Sequence, residues 1–294
     1  MAVYKRSYKV YDGPLTPSGS RFFVLSRYSA AALFDSRLFT GFAIFCCLPF
    51  ILGAISIYVL HSSMVQALLG MRLSGSEVVN NIWFWVFLQI ECWMAFFMTV
   101  WSVPGIMMKD LANNALQLYL SRPLSRTEYL LGKISAVMLL LSAITWFPGL
   151  LLFGLQAQLE GHGWGGEHLW LMGAIFMGCL LWISVMALLA LALSVWVKWR
   201  IAASGLMFAA FFVLAGLGQV IDSILRTQWG RLLNIPYVMA LIWAHLFRLP
   251  SSFVREFRYA RVPLWSAWAS IISICLICLM LLNRRLKARE VERG

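Results

Sequence analysis

Five polar residues, Asp110, Asn113, Asn114, Gln117 and Ser121, form one stripe between two long apolar runs. They fall at i, i+3, i+4, i+7 and i+11, which places them on one face of an α-helix. Leu111, Ala115 and Leu118 lie on another face, with Tyr119 beside them. Carboxamide and carboxylate groups in such a row suit hydrogen bonding to a groove on another polypeptide, so the chemistry on offer is docking. Pro123 ends the helix, because proline lacks the amide proton and pushes Arg122 into extended geometry. Ser125 and Glu128 have capping-box spacing, which starts a new helix through Gly132 and Lys133. Two helices with a rigid break between them make a lever. The plain alternative is a surface loop that only joins two apolar runs; the clean stripe and the defined break favour docking.

Other reactive residues point to less. Glu91 stands inside an apolar run beside Gln89 and Cys92. An acid at that depth costs several kcal/mol unless paired, neutral or facing water. It either lines a cargo path, takes up a proton as part of transport, or packs one helix on another through a buried hydrogen bond. His162, Glu167 and His168 occur in HGWGGEH, short of a full ligand set unless the loop folds round an ion. Trp164 and Trp170 make that loop read as an aromatic turn at the bilayer interface. The 6 Cys all lie in apolar runs, Cys275 and Cys278 as C-x-x-C, and read as small apolar fillers. None of the 4 His has a helically spaced acid within a span, so an intramembrane enzyme lacks its base. Gly132-Lys133 resembles the end of a phosphate loop, but Thr127 and Ile134 stand where Gly and Ser/Thr are required.

These residues need a scaffold, and composition names its solvent. The 294-residue chain is 61% hydrophobic and 12% charged, with a mean hydropathy of +0.79. Soluble domains carry about twice that charged fraction. The expectation is an all-α polytopic membrane protein. Six apolar runs, near 39–60, 82–108, 134–156, 169–197, 201–222 and 264–283, are each long enough to span at about 20 residues. Residues 1–38 form a basic N-terminal segment with no signal-peptide pattern, and 284–294 a basic tail. The net charge of +12 is spread between the spans and not gathered on one face, which argues against nucleic acid.

Lys and Arg crowd the N-terminal segment, the loop after the second span, the turn after the fourth and the tail. That alternation predicts both termini in the cytoplasm. The loop after the fifth span breaks the rule, with Arg226, Arg231, Arg248, Arg255, Arg258 and Arg261. Within it, 235–247 is apolar but short, which predicts a re-entrant or interfacial helix; a seventh crossing is the alternative. Ser20 to Arg37 mixes Phe22, Phe23, Leu25 and Leu33 with Arg21, Arg27 and Asp35. It reads as an amphipathic elbow helix lying at the interface.

The string LYLSRPLSRTEYLLGK resembles the segment joining the second and third spans in permease subunits of ATP-binding-cassette transporters, the type-2 exporter class. Those subunits show an acidic residue, a short helix, a hinge of small residue, Arg, Pro, small residue and Arg, then Gly-Lys opening the next span. Asp110, Ser121, Arg122, Pro123, Ser125, Arg126, Gly132 and Lys133 stand in those places. The layout is similar too: a basic elbow helix, six spans over 39–283, Pro148 in the third and an apolar loop helix before the last. The family often opens the segment with Glu and Ser-Gly-Thr, where this chain has Asp110 and Asn113-Asn114. The resemblance implies that 110–121 is a coupling helix seated on a separate cytoplasmic ABC ATPase. Asp110, Asn114, Gln117 and Tyr119 would dock. Arg122, Pro123 and Arg126 would form the hinge, with Lys133 as a headgroup anchor. It further implies a second permease copy, a bacterial inner membrane and export of a cargo, with Glu91 as a candidate path residue. The chain itself would hold no cofactor; ATP and Mg would sit on the partner. Readings from other classes are an intramembrane enzyme and a non-transporting assembly subunit.

Overall fold

The computed structural model describes residues 20–70, 78–112, 125–161, 163–197, 199–250 and 262–291. Side chains of Arg21, Leu69, Lys109, Leu111, Ala112, Arg126 and 286–291 lie outside that description. Among the described residues there is no strand. Among the described residues, six helices or broken helices are long and apolar enough to cross a bilayer: Arg37–His61, Asn81–Met108, Thr127–Glu160, Leu169–Trp196, Arg200–Leu225 and Leu264–Arg285. The protein is an all-α polytopic membrane protein. Apolar run length alone predicts these crossings, because a lipid-embedded backbone must satisfy its own hydrogen bonds and the helix does so locally.

Spans two, three and four form the core, with 61%, 56% and 67% of their apolar windows buried within the chain. Spans one, five and six bury only 17%, 22% and 22% and present apolar surface outward. Span two leans on span four through the Trp182 indole N–H, which donates to the Cys92 carbonyl at 3.0 Å. Span five meets span two through a ring cluster, with Phe96 and Phe211 centroids 4.5 Å apart. Phe211 sits in a π-helical turn, Ala209–Val213, that widens span five at this contact.

Three spans carry proline, each accommodated differently. Span one breaks at Cys46–Cys47, and Pro49 sits in the first turn of the restarted helix, where its missing N–H costs nothing. Span three breaks at Thr145, three residues before Pro148, and resumes as Trp146–Glu160. Pro104 lies within the helix of span two.

Because the spans alternate, the start of span one shares a face with the end of two, the start of three, the end of four and the start of five. We call this the proximal face. The elbow helix, Arg21–Phe34, lies there against span three. Gly132 allows the close approach: a β-carbon on it would stand 2.9 Å from Leu25 and 3.0 Å from the Phe22 carbonyl. Ser26, fully buried, donates to the Gly132 carbonyl at 3.0 Å.

The apolar helix before the last span runs Ile235–Leu246. Its 12 residues cover ~18 Å, too short to span the ~30 Å hydrocarbon thickness alone. It is buried among the spans, and the Trp243 indole N–H donates to the Gly178 carbonyl inside span four at 3.0 Å. Asn81, opening span two, donates to the Phe247 and Arg248 carbonyls and ties the helix end to the distal face.

Candidate functional site

Residues 113–124 lie outside the described part of the chain, and with them Asn113, Asn114, Gln117, Tyr119, Ser121, Arg122 and Pro123. Their two flanks are described. Asp110 falls in the last turns of one continuous helix, Asn81–Ala112, so it belongs to the rod of span two. On the other side, Ser125 caps the helix Arg126–Ile144: its hydroxyl accepts from the Glu128 amide at 3.2 Å. The Glu128 carboxylate returns to the Ser125 amide at 2.6 Å, the reciprocal pair that the Ser/Glu spacing predicts. Arg126 opens that helix by its backbone.

The flanks are bolted together. The Lys133 ammonium lies 2.7 Å from Asp110 Oδ2. It also donates to Ser29 Oγ of the elbow helix at 3.0 Å. The Tyr129 hydroxyl donates to the same Asp110 oxygen at 2.9 Å. Lys133 is only 3% exposed and Tyr129 is fully buried. Three helices therefore meet at the Asp110–Lys133 pair: spans two and three through the ion pair, and the elbow helix through Ser29 on the lysine. The side chain expected as a headgroup anchor turns inward to an acid, and the acid expected to face a partner turns inward to a lysine. Ser29 and Tyr129 are the residues sequence reasoning missed. Ser26 and Ser29, polar at i and i+3 on an otherwise apolar helix face, carry the signal that would have found the contact.

Beside this knot, a cleft of about 200 Å³ opens between the elbow helix and span two. Asp110, Lys133, Ser29, Tyr28, Ser36 and Arg200 contribute its polar lining. Arg200, which opens span five, lies across Gly105 and donates to the Trp101 carbonyl at 2.6 Å. Among the described residues Arg200 forms no ion pair.

Glu91 lies far from this face. It is fully buried in span two, and neither carboxyl oxygen has a hydrogen-bond partner among the described residues. Cys46, at the break in span one, stands within its electrostatic reach. A buried carboxyl without partners weakens a fold by about 1–3 kcal/mol. Glu91→Leu is therefore expected to raise the melting temperature of the purified protein, and an unchanged or lowered value would show that the carboxyl holds the spans together.

On the distal face the His61 imidazole Nε2 meets Glu160 at 2.8 Å, joining the ends of spans one and three. This pair escapes a search within single spans, because its members are 99 positions apart. In the loop after span three, His168 stacks on Trp164 at 4.3 Å between centroids. Among the described residues no group of three or more His, Cys, Asp or Glu is placed to hold a metal ion. No family model matches the chain, and no curated protein is significantly similar to it.

Proposed function

We propose that this chain is the membrane-spanning permease subunit of an ATP-binding-cassette transporter of the type-2 exporter class. A separate cytoplasmic ATPase would supply the hydrolysis, and two permease copies would form the path for an exported cargo. The reading rests on the resemblance of the 109–133 segment to that family's coupling segment. The Asp110–Lys133 pair supports it mechanically. A push on a floppy loop dissipates, whereas a push on a segment whose two ends are clamped reaches span two, span three and the elbow helix together. The Lys/Arg distribution supports a cytoplasmic location for the proximal face, as the positive-inside rule requires. That rule would place both termini in the cytoplasm of a bacterial inner-membrane protein.

In this reading Asn114, Gln117 and Tyr119 meet the ATPase groove, Arg122, Pro123 and Arg126 keep the hinge stiff, and ATP and Mg stay on the partner. Glu91, buried beside the span-one break, is the candidate cargo-path residue.

The test is purification of the chain in mild detergent with the ATPase encoded beside it. The expected result is a stable complex whose hydrolysis exceeds that of the ATPase alone. Asn114→Lys with Gln117→Lys should cut the retained ATPase several-fold and leave the yield of folded permease unchanged. A chain that captures no ATPase, or a double variant that retains all of it, overturns the docking role.

A further inference from the structure

We infer that the proximal cleft between the elbow helix and span two is a binding site for the phosphate of an anionic glycerophospholipid. The inference rests on the membrane-spanning fold and the cleft alone and does not depend on the transport reading.

The cleft has two characters. Its polar side carries Lys133, Arg200, Asp110 and the hydroxyls of Ser29, Ser36 and Tyr28. Two cations against one carboxylate leave one positive charge in excess. Asp110 already neutralises Lys133. The excess therefore sits on Arg200, whose one described hydrogen bond goes to a backbone carbonyl. A guanidinium has five N–H donors in a planar fork that matches a phosphate. The Trp101 carbonyl occupies one end of that fork. The other side of the cleft is apolar, built from Leu25, Leu33, Phe39 and Ile106.

A singly charged phosphodiester with hydrocarbon attached fits this division. A free inorganic anion would satisfy the polar side and leave the apolar side in contact with water. At about 200 Å³ the cleft is below the size of most small-molecule pockets, so it takes the phosphate and glycerol neck while the acyl chains stay in the bilayer. Position agrees with chemistry: the cleft lies where four span ends meet the interfacial helix, which is headgroup depth. Tyr28 and Trp101, 71% and 43% exposed, stand at its rim as interfacial aromatic residues do. Arg200 lies over Gly105, where a β-carbon would stand 3.7 Å from its Nε, an ordinary contact distance.

Two variants separate the site from general attraction to a charged membrane. Arg200→Gln removes the fork. Ser36→Asp adds a negative charge at the rim and keeps the helix start, since Ser36 caps it by accepting from the Phe39 amide and Asp caps equally well. The detergent-purified full-length chain is titrated with phosphatidylglycerol, phosphatidylcholine or inorganic phosphate while its melting temperature is followed. Native mass spectrometry counts the lipids retained. Phosphatidylglycerol is expected to raise the melting temperature of the wild-type chain and to be retained at one copy per chain. Both variants should bind it about tenfold more weakly, the loss expected for one charge-assisted hydrogen bond. Equal stabilisation by phosphatidylcholine, or full retention by Ser36→Asp, overturns the site. Stabilisation by inorganic phosphate at the same concentration overturns the lipid assignment in favour of a free anion.

Discussion

Lys133→Ala is expected to destabilise the protein by about 3–5 kcal/mol, because it leaves a mostly buried Asp110 without its cation. Side-chain exposure at the pair is 4% for Lys133 and 15% for Asp110, so water does not screen it as it would a surface pair. The lysine also holds Ser29 and lies 5.7 Å from the Tyr129 ring centroid, and both contacts vanish with it. Asp110→Ala should cost a similar amount, since it removes the counter-charge of the buried ammonium and the carboxylate that accepts from the Tyr129 hydroxyl. The double change Asp110→Leu with Lys133→Met is the informative one. Removing both charges together should recover much of the loss, since well-packed apolar residues commonly replace a buried pair at little cost. Thermal unfolding in detergent reads all three variants, and the single changes should fall on the order of 10 °C. A drop within a degree or two for Lys133→Ala would reduce the pair to an ordinary solvated contact. The double variant also separates stability from coupling. On the proposed permease reading, a double variant that is stable but no longer stimulates the co-purified ATPase would show that the bolt transmits force as well as holding the fold.

Run lengths made the crossings legible. Hydropathy is a property of consecutive residues, and a bilayer of fixed thickness converts it directly into span ends. The observed ends differ from the apolar runs mainly where helices continue past the hydrocarbon, as span three does from Thr127 to Glu160. The Ser125–Glu128 cap was equally local and equally visible. What the linear pattern does not carry is partner choice across spans. Lys133 follows Gly132 in a hinge-like string, and nothing within ten positions of it announces a carboxylate 23 residues upstream. Burial of the pair depends on the elbow helix closing over span three, which needs a bare Gly132 and the two serines facing it. His61 and Glu160 show the same limit on the distal face. Arg200 reads in sequence as a topology marker; only the crossing of span five over Gly105 turns it toward a cleft. The break in span three is half legible: Pro148 signals it, but the broken residue is Thr145.

Two glycines only two positions apart in span five should respond to alanine with opposite signs. Gly218 packs directly on the 3-10 turn Trp229–Leu233, and a β-carbon there would overlap the Gly230 carbonyl oxygen. That oxygen is backbone and cannot rotate aside. Its own residue is pinned, because the Gly230 amide donates to Asp222 Oδ1 at 2.7 Å on the same helix. Arg231 adds a contact to Asp222 Oδ2 at 3.4 Å and stacks its guanidinium over Tyr237, 5.6 Å from the ring centroid. The chain turns back through Arg226, which takes the left-handed conformation at φ 49°. Gly218→Ala must therefore push the turn away from the helix and stretch the Asp222 bonds, an overpacking cost of about 1–3 kcal/mol or more. Gly216, by contrast, has nothing within 4 Å of its would-be β-carbon. Gly216→Ala should gain up to ~1 kcal/mol, the helix-propensity difference between the two residues. Melting temperatures of the two variants, measured side by side in the same detergent, decide the matter. Equal shifts would mean that the turn does not rest on span five. A loss confined to Gly218→Ala, deepened little when Asp222→Asn is added, would show that helix, turn and carboxylate act as one distal clasp, since changes that break the same contact do not add.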